Sequence, residues 1–174
     1  ITAAQLEALP PPARDLAKVS LYREPFLGKP FTSYQAGRGC PFGCIYCTTS
    51  YGETYAVRSP EHVVAEIEKN RRRFGIRHFR FTDDTFAINI NWAREFTERM
   101  EATRHPYEWV CLTRIDLMTP ERLELLRRAG CRRLYVGIES GSQKILDYYH
   151  KRYKAAQIPE AVANAKRAGI EGIG

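Results

Sequence analysis

Short apolar runs alternate with amphipathic segments along most of this chain. From residue 34 onward, four apolar runs have the length and composition of strands: 34–37, 78–82, 107–113 and 133–138. In the segments that follow them, apolar residues recur every three or four positions, as Trp92, Phe96 and Met100 do. Strands that alternate with helices predict consecutive βα units and therefore a parallel sheet.

The ends of the predicted helices carry start and stop signals. Ser59-Pro60 and Thr119-Pro120 each place an N-capping side chain before a proline that suits the first helical position. Glycine marks three helix-to-strand junctions: Gly75, Gly130 and Gly169. Two further helices are expected: 142–149 and 159–168. The short connections favour an α/β fold, a partial (β/α) TIM-like barrel of about four complete βα units with helices outside.

Residues 1–33 differ in character from the rest of the chain. A short helical pattern ends at Pro10-Pro11-Pro12, as in a linker between domains. The chain also starts at Ile1 and stops at Gly174, just after a fifth strand is expected to begin. We therefore expect a fragment with a lead-in over 1–33, after a missing upstream domain, and a core over 34–174 that is truncated at its C-terminus.

The composition of the 174 residues excludes several classes of protein. Hydrophobic residues make up 44% and charged residues 27%, which is typical of a globular domain and not of a disordered chain. No apolar run approaches the roughly 18 residues that a membrane span needs. We expect no membrane span.

Arginine accounts for most of the net charge of +7. It occurs in three runs: 71–73, 127–128 and 132–133. A basic patch of this kind attracts nucleic acid, so a nucleic-acid partner is possible. Such runs more often form a solvated helix face, and we favour that interpretation.

Three of the five cysteines lie within eight residues, at Cys40, Cys44 and Cys47. A disulfide scaffold would spread its cysteines along the chain, whereas a cluster indicates metal or redox chemistry in a reducing, cytoplasmic compartment. The C-x3-C-x2-C spacing suits an iron–sulfur cubane, and with three cysteines one iron stays open. The alternative is zinc with Cys111, Cys131 or a histidine as fourth ligand, although both of these cysteines look like ordinary buried residues.

Charged and polar side chains follow three of the predicted strands at the same end. These residues are Asp83 and Asp84, then Arg114 and Asp116, and then Glu139 and Ser140. The cysteine loop follows the first strand at that end. Since (β/α) barrels form their active sites at the C-terminal ends of the strands, we expect these residues to share one site.

The cysteine loop and the strand ends resemble the radical S-adenosylmethionine (SAM) superfamily. Four segments carry the resemblance: 36–47 (AGRGCPFGCIYC), 81–86 (FTDDTF), 112–116 (LTRID) and 137–142 (GIESGS). They are close to the cobalamin-associated branch, and the lead-in 9–16 (LPPPARDL) resembles the linker after the cobalamin-binding domain of that branch. The resemblance covers nearly all of 34–174 and implies a (β/α)6 core.

The resemblance implies a reaction and its cofactors. Cys40, Cys44 and Cys47 would ligate a 4Fe-4S cluster whose open iron binds SAM, and one electron would cleave SAM to methionine and a 5′-deoxyadenosyl radical. An electron donor such as flavodoxin or ferredoxin and a small-molecule substrate are implied. Cobalamin is a possible further cofactor of the full-length protein. The reaction implied is that of a methyltransferase, or of an oxidoreductase or cyclase.

The resemblance also implies roles for residues around the cluster. Tyr46 would lie beside the adenine, Asp83 and Asp84 at the methionine amino group, and Glu139 and Ser140 at the ribose. Arg114 could pair with the methionine carboxylate, and a structural ion pair with Asp116 or Glu139 is about as well supported. The alternatives in function are a tRNA-modifying radical SAM enzyme and a non-catalytic zinc or nucleic-acid-binding module.

Overall fold

In the computed structural model, which describes residues 1–48, 51–170 and 172–173, the chain has an α/β fold. Its strands are β1 (Thr32–Tyr34), β2 (Gly37–Arg38), β3 (Ala56–Val57), β4 (His78–Phe81), β5 (Glu108–Thr113), β6 (Cys131–Val136) and β7 (Gly172–Ile173). Its α-helices are α1 (Ala3–Glu7), α2 (Pro60–Phe74), α3 (Ile90–Ala102), α4 (Pro120–Arg128), α5 (Gln143–Tyr148) and α6 (Gln157–Arg167). Short 3-10 turns cover Arg14–Leu16, Val19–Leu21 and Ile115–Leu117.

The main sheet confirms the predicted parallel arrangement. Its strand order is β1-β4-β5-β6-β7, and every neighbouring pair is parallel. Each strand is thus added at the same edge of the sheet, which is the topology of a barrel that has not closed. The antiparallel pair β2–β3 stands apart and closes the cysteine loop between β1 and α2.

Two strands lie earlier in the chain than their predicted positions. The first was expected over 34–37, but the amides of Ala36 and Gly37 donate to Asp83 and so take those residues out of the sheet. The fourth was expected over 133–138, but the chain turns after Val136. In both places the backbone at the C-terminal end of the strand forms hydrogen bonds within a polar loop instead of pairing with the neighbouring strand.

The predicted helix signals are confirmed. The hydroxyl of Ser59 accepts a hydrogen bond from the His62 amide at 3.3 Å, and Pro60 is the first residue of α2. Thr119 caps α4 in the same way, 3.4 Å from the Arg122 amide. Each cap satisfies an amide at a helix start that has no partner within the helix.

Helices cover one face of the sheet and bury an aromatic core there. Phe81 stacks on Phe86 with ring centroids 4.1 Å apart, and Trp109 is fully buried between them and Phe96. The Trp109 indole N–H donates to the Ala129 carbonyl at 2.7 Å, which ties β5 to the end of α4. Cys111 and Cys131 are buried in the same layer, as the sequence predicted.

The lead-in packs against the sheet and α2. Arg14 pairs with Glu66 of α2 at 2.7 Å and donates to the carbonyl of Ser33 in β1. Glu24 is fully buried and accepts the amides of Phe26 and Leu27. That residues 1–33 link the core to another domain stays a prediction.

The arginine runs are largely engaged with neighbouring groups. Arg71 and Arg72 pair with Glu68 on the same helix, and Arg73 pairs with Asp15. Arg128 binds Glu101 through two nitrogens at 2.7 and 2.9 Å. These contacts favour ion-paired helix faces over a nucleic-acid-binding surface. Across the part of the chain that the structure describes, no helix combines the length and apolar character needed to cross a membrane.

Two helix-ending glycines provide a matched test of this packing. Gly130 has φ +101°, and a Cβ there would overlap the carbonyl oxygen of Tyr107. Gly75 has φ +68° with open space around the same position. Gly75→Ala should cost about 1–2 kcal/mol from the left-handed backbone, whereas Gly130→Ala should cost about 1–3 kcal/mol more because of the overlap. Urea unfolding of both variants measures the difference, and equal losses would contradict this account of the β5–β6 junction.

Candidate active site

A glycine turn and the β2–β3 pair hold the cysteine loop at the C-terminal end of β1. Gly39 has φ +84°, and a Cβ there would overlap the carbonyl oxygen of Thr54, so only glycine fits. The Cys40 amide donates to the Gly52 carbonyl at 3.1 Å across the loop. The backbone is therefore fixed immediately before the first of the three cysteines.

The three loop cysteines differ in exposure. Cys40 is buried with its sulfur 3.5 Å from the Thr85 hydroxyl, Cys44 is partly buried and Cys47 is exposed. The Cys47 amide donates to the Cys44 carbonyl at 3.0 Å, which turns the chain between them. Partial burial raises the pKa of Cys47, and the charges of Cys40 and Cys44 raise it further, so the three thiols interact electrostatically.

The spacing of these thiols bears on which metal group they suit. In the described ranges, no three His, Cys, Asp or Glu side chains are close enough to hold a metal ion. A 4Fe-4S cubane binds each cysteine through a different iron, so the three thiols of the loop could hold three of its four irons.

Asp83 anchors the cysteine loop to β4. Its side chain is 2% exposed, and its two oxygens accept the amides of Ala36 and Gly37 at 3.0 and 2.5 Å. Burial raises the pKa of Asp83 to about 7, while the two amide bonds act in the opposite direction. Both oxygens are thus engaged by the backbone, which indicates a structural role for this carboxyl group.

Asp84 has the opposite character. Its Oδ2 atom is buried and has no hydrogen-bond partner within the described structure. Its charge acts on the pKa of Cys47, so it lies on the side of the cysteine loop. A buried carboxylate oxygen without a donor costs free energy, and a cationic ligand would supply the missing donor.

Arg114 connects the cysteine loop to the end of β5. Its guanidinium binds Asp116 through two nitrogens at 2.9 and 3.1 Å and donates to the Lys151 carbonyl at 2.5 Å. The remaining nitrogen lies 3.5 Å from the Cys44 sulfur, and the guanidinium carbon lies 3.8 Å from the centroid of the Phe42 ring. The expected alternative of an ion pair with Asp116 is confirmed, and no pair with Glu139 accompanies it in the described residues.

Tyr46, Glu139 and Lys151 form a hydrogen-bonded group beside the loop. The Tyr46 hydroxyl donates to Glu139 at 2.7 Å, and the Lys151 ammonium lies 3.0 Å from that hydroxyl and 3.3 Å from Glu139. Burial and the bond to Glu139 raise the pKa of Tyr46. Ser140 instead accepts the Ser142 amide at 3.0 Å in a local turn.

Lys151 is the residue that sequence reasoning missed. It is only 3% exposed. Lysine is rarely buried unless its charge is paired, and here Glu139 is the partner. Its neighbours His150 and Arg152 both have positive φ, as does Glu139. Strained backbone of this kind concentrates at functional sites. No spacing or motif in the sequence signals it, because the contact depends on the turn after α5.

The structure therefore brings most of the predicted site residues to one edge of the sheet. The cysteine loop follows β1, Asp84 follows β4, Arg114 follows β5 and Glu139 follows β6. This is the C-terminal edge of a parallel sheet, where (β/α) barrels carry their active sites. Residues 34–174 match the family model of the Radical SAM superfamily. The chain belongs to the radical SAM superfamily.

Relatives and solved structures agree with this family. The chain is 30% identical over 171 residues to an uncharacterised methyltransferase of Pyrococcus horikoshii, covering 97% of the chain and 37% of that protein. It is 33% identical over 138 residues to the anaerobic magnesium-protoporphyrin IX monomethyl ester cyclase of Cereibacter sphaeroides, covering 76% of the chain and 22% of the cyclase. The chain thus spans well under half the length of either relative.

One solved structure of a radical SAM enzyme shows the same fold. The cobalamin-dependent enzyme OxsB superposes with a TM-score of 0.72 at 22% identity, over 81% of this chain and 23% of OxsB. This likeness confirms the partial TIM-like barrel.

The burial of Asp83 predicts a pH dependence of stability. Its pKa is about 7 in the folded chain and ordinarily 3.8, so the folded chain binds the proton more tightly. The contribution is fully present below about pH 4 and is lost as the pH rises through 7. Urea unfolding at pH 5 and pH 8 should show a larger loss for the wild type than for Asp83→Asn. An equal loss in Asp83→Asn would refute the role of this group, with exposed Asp147→Asn as the control.

Proposed function

We propose that this chain is a radical SAM core in which Cys40, Cys44 and Cys47 ligate a 4Fe-4S cluster. The observation that carries the proposal is a three-thiol loop, fixed by Gly39 and by Asp83, beside the unpartnered carboxylate oxygen of Asp84. When bound and reduced, the cluster supplies the electron that cleaves SAM to methionine and a 5′-deoxyadenosyl radical.

The protein's own groups support such a cluster in two ways. The positive charge of Arg114 lies 3.5 Å from the Cys44 sulfur, where it would partly offset the negative charge of a bound cluster. Cys40 is itself buried, and the Phe42 ring lies against the Arg114 guanidinium. Exclusion of water strengthens electrostatic interactions in the site and limits side reactions.

In this proposal Asp84 and Glu139 contact different parts of SAM, and Asp83 contacts none. Asp84 accepts the methionine ammonium group, because its free oxygen needs a donor, while Asp83 holds the loop. Glu139 contacts the ribose and Tyr46 lies at the adenine, whereas Ser140 is engaged in a turn. Since Asp116 and the Lys151 carbonyl occupy most of the Arg114 guanidinium, Arg114 positions the loop rather than binding the methionine carboxylate.

The reaction of the whole protein is a methyl transfer or a ring formation on a small molecule. The similarity to a methyltransferase over 97% of the chain favours methyl transfer, and the similarity to a cyclase keeps ring formation as the second candidate. Cobalamin would serve the methyl transfer, and a flavodoxin or ferredoxin would supply electrons. The tRNA-modifying and nucleic-acid-binding alternatives gain little support, since the arginines of the 71–73 run and Arg128 are ion-paired.

Substitution of the cysteines tests the cluster directly. Cys40→Ala, Cys44→Ala and Cys47→Ala should each prevent formation of a stable cluster, because a cubane needs its thiolates. Iron and sulfide content after anaerobic reconstitution and the visible absorbance measure this, and 5′-deoxyadenosine formed from SAM and dithionite measures cleavage.

The two core cysteines provide the matched controls. Cys111→Ala and Cys131→Ala remove a thiol from the buried layer and should leave the iron content unchanged. If zinc fills the wild-type site under reducing conditions and iron does not bind, the proposed function is wrong.

A separate substitution tests the assignment of the SAM ammonium. Asp84→Asn removes a charge-assisted hydrogen bond worth roughly 1.5–3 kcal/mol, so the cluster-loaded chain should bind SAM about ten- to a hundredfold more weakly. Equilibrium dialysis of SAM measures the affinity, and Asp147→Asn is the exposed control. Unchanged affinity with full iron content would remove Asp84 from the SAM site.

A further inference from the structure

Two arginines stand in one row across the sheet, on the face away from the helices. Arg80 of β4 is in register with Val110 of β5, and Val110 is in register with Arg133 of β6. Neighbours in register project to the same side of a sheet. Val110 is fully buried yet lies outside the core cluster of the helix side, which places the row on the opposite, barrel-interior face.

Both guanidinium groups lie over the same aromatic ring. The Arg80 guanidinium carbon is 4.7 Å from the Tyr135 ring centroid, and that of Arg133 is 5.2 Å away. Arg133 also lies 4.7 Å from the Phe26 ring of the lead-in. Stacking fixes the planes of the two groups while leaving their N–H edges free to bind.

Neither guanidinium has an ion pair or hydrogen bond among the residues that the structure describes. The Nε atom of Arg133 is buried without a partner. The nearby Glu24 makes no ion pair with either guanidinium group; its oxygens accept the Tyr135 hydroxyl and the amides of Phe26 and Leu27. The exposed arginines without a partner can keep their hydration, whereas Arg80 and Arg133 are both partly buried.

Two partly buried cations at one aromatic ring, with no ion pair to either, are unfavourable. Each loses hydration, and like charges repel more strongly away from bulk water. Aromatic stacking offsets only a part of this cost. An anion between the two N–H edges would satisfy the buried Nε atom and remove the repulsion.

We propose that Arg80 and Arg133 form a site for the anionic group of an organic substrate, a carboxylate or a phosphoryl group. Planar guanidinium groups bind both through paired N–H donors. The assignment of this ligand as the substrate rests on the proposed function; the anion site itself does not.

The position of the row suits a substrate that enters from the active-site edge. Along β5, Val110 is three residues before Thr113, the end of the strand, which is roughly 10 Å at the rise of a strand. The exposed Leu112 and the Tyr135 ring occupy the next row toward that edge. A substrate anchored at the arginines would lay its apolar body against Leu112 and present its far end to the cluster.

Calorimetric titration of the cluster-loaded chain with inorganic phosphate and with succinate tests the site. At low salt, at least one of the two anions should bind saturably. Arg80→Met and Arg133→Met keep the stacked side-chain stem and remove the charge, and each should weaken binding at least tenfold. Preference for phosphate would indicate a phosphoryl-bearing substrate, and preference for succinate a carboxylate.

Three controls keep the result interpretable. Arg94→Met removes an exposed arginine that pairs with Glu121 and should bind the anions as the wild type does. Arg133→Lys retains a cation and should recover part of the affinity if Arg133→Met folds poorly. Iron content and SAM cleavage are measured on the same samples.

The outcomes separate this site from the proposed function. An absence of saturable binding by the wild type, or binding that survives both methionine variants, would overturn the anion site. If iron content and SAM cleavage are normal in such samples, the radical SAM assignment stands without it. Conversely, tenfold losses in both variants of a chain that binds no iron would support the anion site alone.

Discussion

The bonds from the Ala36 and Gly37 amides to Asp83 are the constraint on which the site depends. They take the backbone out of β1 at the point where the cysteine loop starts, and they fasten that loop to the end of β4. Because the carboxyl group is buried, the geometry has little freedom to relax. The glycine turn at Gly39 and the β2–β3 pair then close a loop whose first residues are already held in place.

The sequence predicted the framework well because the signals there are local. The caps at Ser59 and Thr119, each followed by proline, and the glycines at helix ends depend on a few neighbouring residues and mark the same boundaries in the structure. The strand ends were placed less well, since pairing of Ala36 with a carboxyl group 47 residues away is not visible in a local pattern. That the polar residues share the C-terminal edge of the sheet could be predicted from the parallel topology alone.

Within the site, residue type could be predicted but not the division of roles. Adjacent aspartates look alike in a sequence, yet Asp83 has both oxygens engaged and Asp84 has one that is free. Both roles suggested for Arg114 were open until its contacts with Asp116 and Cys44 were visible. Lys151 could not be found because the turn that buries it uses left-handed residues that are not glycine.

The graded exposure of the three cysteines has a consequence for damage. Reagents in solution reach Cys47 first, while Cys40 lies behind the loop against Thr85. Oxidation of a thiol follows its accessibility as well as its acidity. An oxidant would therefore reach the thiol of Cys47 in the free chain before that of Cys40, so the outermost ligand position is the first that damage would remove.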